Sequence, residues 1–110
     1  MKRTFIETSL FTASIKPLLK DDPNLLLRLQ SLLLQDPEAG DRIPGAGGAR
    51  KIRVPTKNKG KSGGYRTIYY DLSRRGEIYL LAIYLKKTQE NISESEKKVI
   101  AKLIKVLNDL

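Results

Sequence analysis

Arg50, Lys51 and Arg53, then Lys57, Lys59 and Lys61, then Arg66, crowd a stretch with no acidic residue between Asp41 and Asp71. Tyr65, Tyr69 and Tyr70 stand at the end of that cationic run, with Tyr79 and Tyr84 further on. The chain has neither histidine nor cysteine. That excludes an imidazole general base, Ser-His and Cys-His nucleophiles, a disulfide framework and cysteine-held metals. Glu7, Asp71 and Glu77 are isolated in sequence, which gives paired-carboxylate or two-metal chemistry little support, and no metal or cofactor is expected. The glycines of Gly60-Lys61-Ser62-Gly63-Gly64 lack the GxxxxGK[ST] spacing and precede a predicted strand, not a helix, so nucleotide hydrolysis is discounted.

Lysines, arginines and tyrosines suffice for one kind of reaction, the cleavage of RNA. The 2′-hydroxyl of RNA is a built-in nucleophile, so a protein need only align it with the adjacent phosphate, accept its proton, neutralise charge and assist the leaving 5′-oxygen. A lysine crowded by other cations gives up its proton more readily. Arginine stays charged and can hold phosphorane oxygens with a planar fork. The same residues also serve as an ordinary solvated strand face or as plain phosphate contacts. Lys57, Lys59 and Lys61 fit the contact role better than catalysis, because an irregular segment holds geometry poorly. The tyrosines are first of all strand-formers.

The surrounding elements must position these groups. Lys2 to Glu7 reads as a strand, and Thr8 or Ser9 as the cap of a helix ending near Pro17. Asp21-Asp22-Pro23 reads as the start of a second helix, with Leu25, Leu26, Leu29, Leu32 and Leu33 at helical spacing and a stop before Asp36-Pro37. Leu27 and Leu34 lie off that stripe, which means either a wide buried face or a docking surface for a protein partner. Gly40 to Gly48 is an irregular turn region. From Ala49 to Val54 the residues alternate, putting Ile52 and Val54 on one face and Lys51 and Arg53 on the other. Pro55 to Gly64 reads as a flexible basic loop. Tyr65 to Leu72 and Glu77 to Leu85 are strands joined at hairpin length by Ser73-Arg74-Arg75-Gly76. Ser93-x-x-Glu96 has capping-box spacing, followed by a stripe of Val99, Ile100, Leu103, Ile104, Leu107 and Leu110. The predicted order is β-α-α-β-β-β-α: an α+β fold with a twisted, mainly antiparallel four-stranded sheet and helices against one face.

Taken in order, Gly47-Gly48-Ala49-Arg50-Lys51-Ile52-Arg53, the lysine loop, Gly63-Gly64-Tyr65-Arg66-Thr67-Ile68-Tyr69-Tyr70, Ile78-Tyr79-Leu80-Leu81 and the terminal Ser93-x-x-Glu96-Lys97-Lys98 helix resemble a HigB-type toxin of the RelE/ParE superfamily. The resemblance covers nearly the whole chain. It implies a ribosome-dependent mRNA interferase that cuts translated mRNA to a cyclic phosphate, bound and restrained by a cognate antitoxin expected to be an acidic or helix-turn-helix DNA-binding protein. Carried over by position, Arg66 is the first choice for transition-state stabilisation. Lys51, Arg53 and Lys86 or Lys87 are the other basic catalytic positions, and Arg50, Lys57, Lys59 and Lys61 would contact mRNA, the ribosome and its 16S rRNA. After Tyr84 the run Leu85-Lys86-Lys87-Thr88-Gln89-Glu90 departs from the family pattern, so the distal basic residue falls on either lysine.

The 110 residues suit a single domain spanning 1–110. A net charge of +9, from 21 Lys and Arg against 12 Asp and Glu, fits a polyanionic partner. The N-terminal apolar run is broken by Glu7 and is too short for a signal peptide or membrane span, so a cytoplasmic protein with no membrane partner is expected. A non-catalytic ribosome- or RNA-binding module would use the same charges, and a ParE-like gyrase inhibitor would share the fold.

Overall fold

The computed structural model describes residues 2–56, 64–86 and 91–110. Their order is β1 (Thr4–Glu7), α1 (Ser9–Asp21), α2 (Leu25–Gln35), β2 (Asp41–Arg42), β3 (Arg50–Val54), β4 (Tyr65–Leu72), β5 (Glu77–Leu85) and α3 (Glu94–Asn108), with a 3-10 turn at Ser73–Arg75 between β4 and β5. The α+β expectation holds. The sheet gains a fifth, two-residue strand, since β2 pairs antiparallel with the start of β3. Strand order is β1-β5-β4-β3-β2, with β1 and β5 parallel and every other pairing antiparallel.

Strand alternation divides the core in two. On one face Ile52, Val54, Tyr65, Tyr69, Ile78, Leu80 and Ile83 meet Phe11 and Ile15 of α1 and Leu25, Leu29 and Leu33 of α2. On the other, Ile68, Leu81, Tyr70, Tyr79 and Tyr84 meet Ile92, Ile100 and Ile104, together with Ile43, Ala46 and Ala49. The expectation that all helices share one face is therefore corrected: α3 covers the face opposite α1 and α2. A strand with apolar residues on both sides needs cover on both. A register shift between Ile68 and Tyr69 puts Leu81 and Ala82 together on the α3 side.

The helix ends differ from the sequence reading in two places. Thr8 caps α1, its hydroxyl accepting from Phe11 N at 3.1 Å, but the helix runs through Pro17 to Asp21. A proline forfeits one intrahelical bond, and here Leu18 and Leu19, packed against the core beyond it, outweigh that loss. Asp22 does not cap α2. It ends α1, while Asn24 precedes α2 without a side-chain cap bond. At the C-terminal helix the expected capping box forms, with Glu96 N donating to Ser93 Oγ at 3.1 Å and Ser93 N to Glu96 Oε1 at 2.8 Å. Of its apolar stripe only Ile104 and Leu107 are buried, and Val99 and Leu110 are exposed. Leu27 and Leu34 are also exposed, so the expectation of a wide buried face on α2 does not hold at these two positions.

Candidate functional site

On β3 the period of two sends Lys51 and Arg53 to the α3 face, about 7 Å apart along the strand. Across the ladder Arg53 stands opposite Arg66, and Arg66 opposite Tyr84 on β5. Lys51 pairs with Ile68, one step further along the same face. Lys51, Arg53, Arg66 and Tyr84 therefore share one surface built from three adjacent strands. Among the described residues neither Lys51 nor Arg66 joins an ion pair. Arg66 Nε, which is buried, has no hydrogen-bond partner among the described residues. A buried donor left so costs roughly 1–3 kcal/mol.

Tyr84 is the neighbour that sequence reasoning did not single out. Burial pushes its phenol above the ordinary tyrosine value, with Arg66 opposing and Glu96 adding to that rise. At neutral pH it is a hydroxyl that can donate, not a phenolate that can act as a base.

A cleft of about 260 Å3 opens beside these groups. Lys51, Ile68 and Tyr84 line it from the sheet, Ile43 and Pro44 from the turn region, and Asn91, Ile92, Glu94 and Lys97 from the start of α3. Lys97 Nζ lies 3.2 Å from Glu94 Oε1. Asn91, Glu94 and Lys97 were not legible as site residues, because only the tertiary fold carries α3 across this sheet face.

The strand ends that carry Arg53 and Arg66 are tied down from the opposite side. Asp22, buried between α1 and α2, accepts both guanidinium nitrogens of Arg28 at 2.7 and 2.8 Å. Arg28 also donates to Pro55 O, just past β3, at 2.8 Å. The pair holds the Arg28 pKa above its usual value, mainly through the hydrogen bond to Asp22, while burial and then Asp22 push the Tyr65 phenol up. Gly64 adopts φ +60°, and a Cβ there would stand 2.5 Å from Val54 O, so the chain enters β4 through a position suited to glycine.

The other expected residues separate. Lys86 follows β5 directly, its backbone N–H donating to Gly64 O at 3.1 Å, which places it at the same end of the sheet as Arg53 and Arg66. Arg50 lies on the α1/α2 face, where it donates to Gly40 O at 2.8 Å and to Glu38 O at 3.3 Å. The structure does not bring Arg50 to the other cations. Lys57, Lys59, Lys61 and Lys87 lie outside the described residues. Among the described residues no group of His, Cys, Asp or Glu could hold a metal ion, and no helix is long and apolar enough to cross a membrane.

A twisted sheet covered on both faces, with a cationic strand surface beside the start of its last helix, defines a small α+β protein of the RelE fold. E. coli RelE in the intact RelBE toxin–antitoxin complex superposes with a TM-score of 0.56 at 17% identity, over 74% of this chain and 93% of that one. A double arginine-to-alanine mutant of E. coli RelE in the free state gives 0.56 at 17% over 90% and 96%, and isolated E. coli RelE gives 0.58 at 16% over 92% and 98%. The family model for the RelE toxin of the RelE/RelB toxin–antitoxin system matches residues 41–110, and the chain belongs to that family.

Proposed function

We propose that this RelE-family toxin is a ribosome-dependent mRNA interferase of the HigB type, and that it cleaves translated mRNA without a metal. The observation that carries this reading is the Lys51, Arg53 and Arg66 surface, where Arg66 stands between Arg53 and Tyr84 across the ladder and its buried Nε has no hydrogen-bond partner among the described residues. In the proposed reaction the mRNA 2′-oxygen attacks the adjacent phosphorus, the bond from phosphorus to the 5′-oxygen breaks, and a 2′,3′-cyclic phosphate remains on the upstream fragment. The 2′-hydroxyl proton goes to a base, for which Lys51, Lys86 and Lys87 are the candidates, and the departing 5′-oxygen takes up a proton. Arg66 and Arg53 hold the extra negative charge of the phosphorane.

Lys57, Lys59 and Lys61 supply contacts to the ribosome and its 16S rRNA, which adds the long-range, salt-sensitive part of affinity. By analogy with the RelBE complex, a cognate antitoxin binds this chain, in our reading one with a helix-turn-helix DNA-binding domain. The exposed Leu27 and Leu34 of α2 are compatible with such a partner, and the protein acts in the cytoplasm, where translated mRNA is found. The test is primer extension on a defined mRNA with purified protein, with and without programmed ribosomes. Cuts that require ribosomes, leave a cyclic phosphate and persist in EDTA are expected. Folded, ribosome-bound protein that makes no cuts would instead identify a binding module.

A further inference from the structure

We propose that Arg28 is a positioning residue for RNA cleavage, holding the end of β3 from the far side of the sheet so that Arg53 stays opposite Arg66. This rests on the RNA-cleavage reading and adds a residue that itself touches no RNA. The need for such a hold is local. Arg53 and Arg66 are directly opposite each other in the β3/β4 ladder, one pair from its end at Val54 and Tyr65. Two like charges so placed push their strands apart. Pro55 follows at once and has no N–H with which to extend the ladder.

The two strands do not resist that push equally. β4 is paired here on both sides, Arg66 lying between Arg53 of β3 and Tyr84 of β5. β3 has a second neighbour only at Arg50 and Lys51, where β2 pairs with it. Among the described residues the part of β3 that carries Arg53 is therefore an edge, and Arg53 is the more easily displaced of the two cations. Arg28 acts on that edge. Its Nη2 donates to Pro55 O at 2.8 Å, while Nη1 and Nη2 reach the two carboxylate oxygens of buried Asp22 at 2.7 and 2.8 Å. Asp22 is itself fixed at the end of α1, its backbone N–H donating to Leu18 O at 3.1 Å. A planar guanidinium held at both nitrogens by one carboxylate has a set direction. Pro55 O, two residues after Arg53, is thereby tied to the helix layer.

The experiment separates this hold from a plain ion pair. Full-length wild type, Arg28→Lys, Arg53→Ala and the double variant are compared for ribosome-dependent cleavage, with kcat and KM normalised to the folded fraction of each. Arg28→Lys keeps a positive charge beside Asp22 but lacks the fork that reaches the carboxylate and Pro55 O together. The Arg28 side chain is one-third exposed, so the lysine variant should fold. Arg28→Gln also lacks the fork, carries the same expectation and serves if the lysine variant is unstable. In Arg28→Lys kcat should fall about 10-fold, because a small misplacement of a group that contacts the reacting phosphate is costly. KM should change less than about twofold, since the contacts that bind the ribosome are untouched. In the Arg53→Ala background the same substitution should cost less than about twofold, because no guanidinium remains to be placed. A role confined to stability gives wild-type kcat per folded molecule in Arg28→Lys, and a role that bypasses Arg53 gives losses that multiply in the double variant. Either result overturns the proposal. Absence of any wild-type cleavage overturns the nuclease reading and the positioning role with it.

Discussion

β3 and β4 deliver arginines to opposite faces of one sheet, and the two faces use them in different ways. Arg50, facing α1 and α2, spends its guanidinium on Gly40 O and Glu38 and ties down the turn after α2. Arg66, facing α3 and opposite Arg53, has a buried Nε with no hydrogen-bond partner among the described residues. The tyrosines divide the same way. Tyr69 is fully buried, its hydroxyl donating to Pro37 O at 2.8 Å and accepting from Gly40 N at 2.9 Å, whereas Tyr84 lines the cleft beside Arg66. Residue type therefore says little about role in this chain. What separates Arg50 from Arg66 is that the described residues hold the guanidinium of the first and leave the buried Nε of the second without a partner.

The largest expected effect belongs to Arg66. Arg66→Ala should slow ribosome-dependent cleavage about 10²–10³-fold, equivalent to roughly 2.7–4 kcal/mol of transition-state stabilisation, with the far-UV circular dichroism of wild type. A loss below tenfold would place the main charge contact elsewhere.

The face covered by α1 and α2 should answer in stability. Asp22→Ala removes the partner of Arg28 and should cost about 2–3 kcal/mol, below the full cost of breaking a buried pair because Arg28 is one-third exposed and water screens it. Thermal unfolding would show this as a midpoint lower by roughly 10 °C. Tyr69→Phe should cost about 1–2 kcal/mol, since Gly40 N loses its acceptor in the core. Burial raises the Tyr69 pKa above its ordinary value. Free tyrosines in the unfolded chain ionise near pH 10, so above that pH the folded state holds a proton that the unfolded state has released. Stability is then full below about pH 10 and falls as pH rises beyond it. Denaturant midpoints measured between pH 8 and 11 should show the fall in wild type and a shallower one in Tyr69→Phe.

Sequence patterns that act over short distances were legible. The period of two in β3 separated Lys51 and Arg53 from Ile52 and Val54, and the hairpin spacing and the Ser93/Glu96 capping box needed only local chemistry. Long-range pairing was not. The parallel contact of β1 with β5 joins residues far apart in the chain, and β2 is two residues that become a strand only against β3. Asp22 looked like a helix cap because Asp before Pro fits one, but the buried bidentate contact with Arg28 fixes its role instead. Arg50 was grouped with its neighbours because charge density ignores the pleat. The cleft escaped notice because Lys51, Tyr84, Glu94 and Lys97 come from three separate segments.

The central claim, that one face of this sheet is spent on folding and the other is reserved for RNA, is tested most directly by assaying Arg66→Ala and Arg50→Ala together. Primer extension on ribosome-bound mRNA would be normalised to the folded fraction of each protein. Arg66→Ala should slow the cuts about 10²–10³-fold without a loss of stability that could explain it, while Arg50→Ala should melt earlier and cut as wild type does per folded molecule. Equal loss of cutting in both variants, or loss in Arg50→Ala alone, would contradict it.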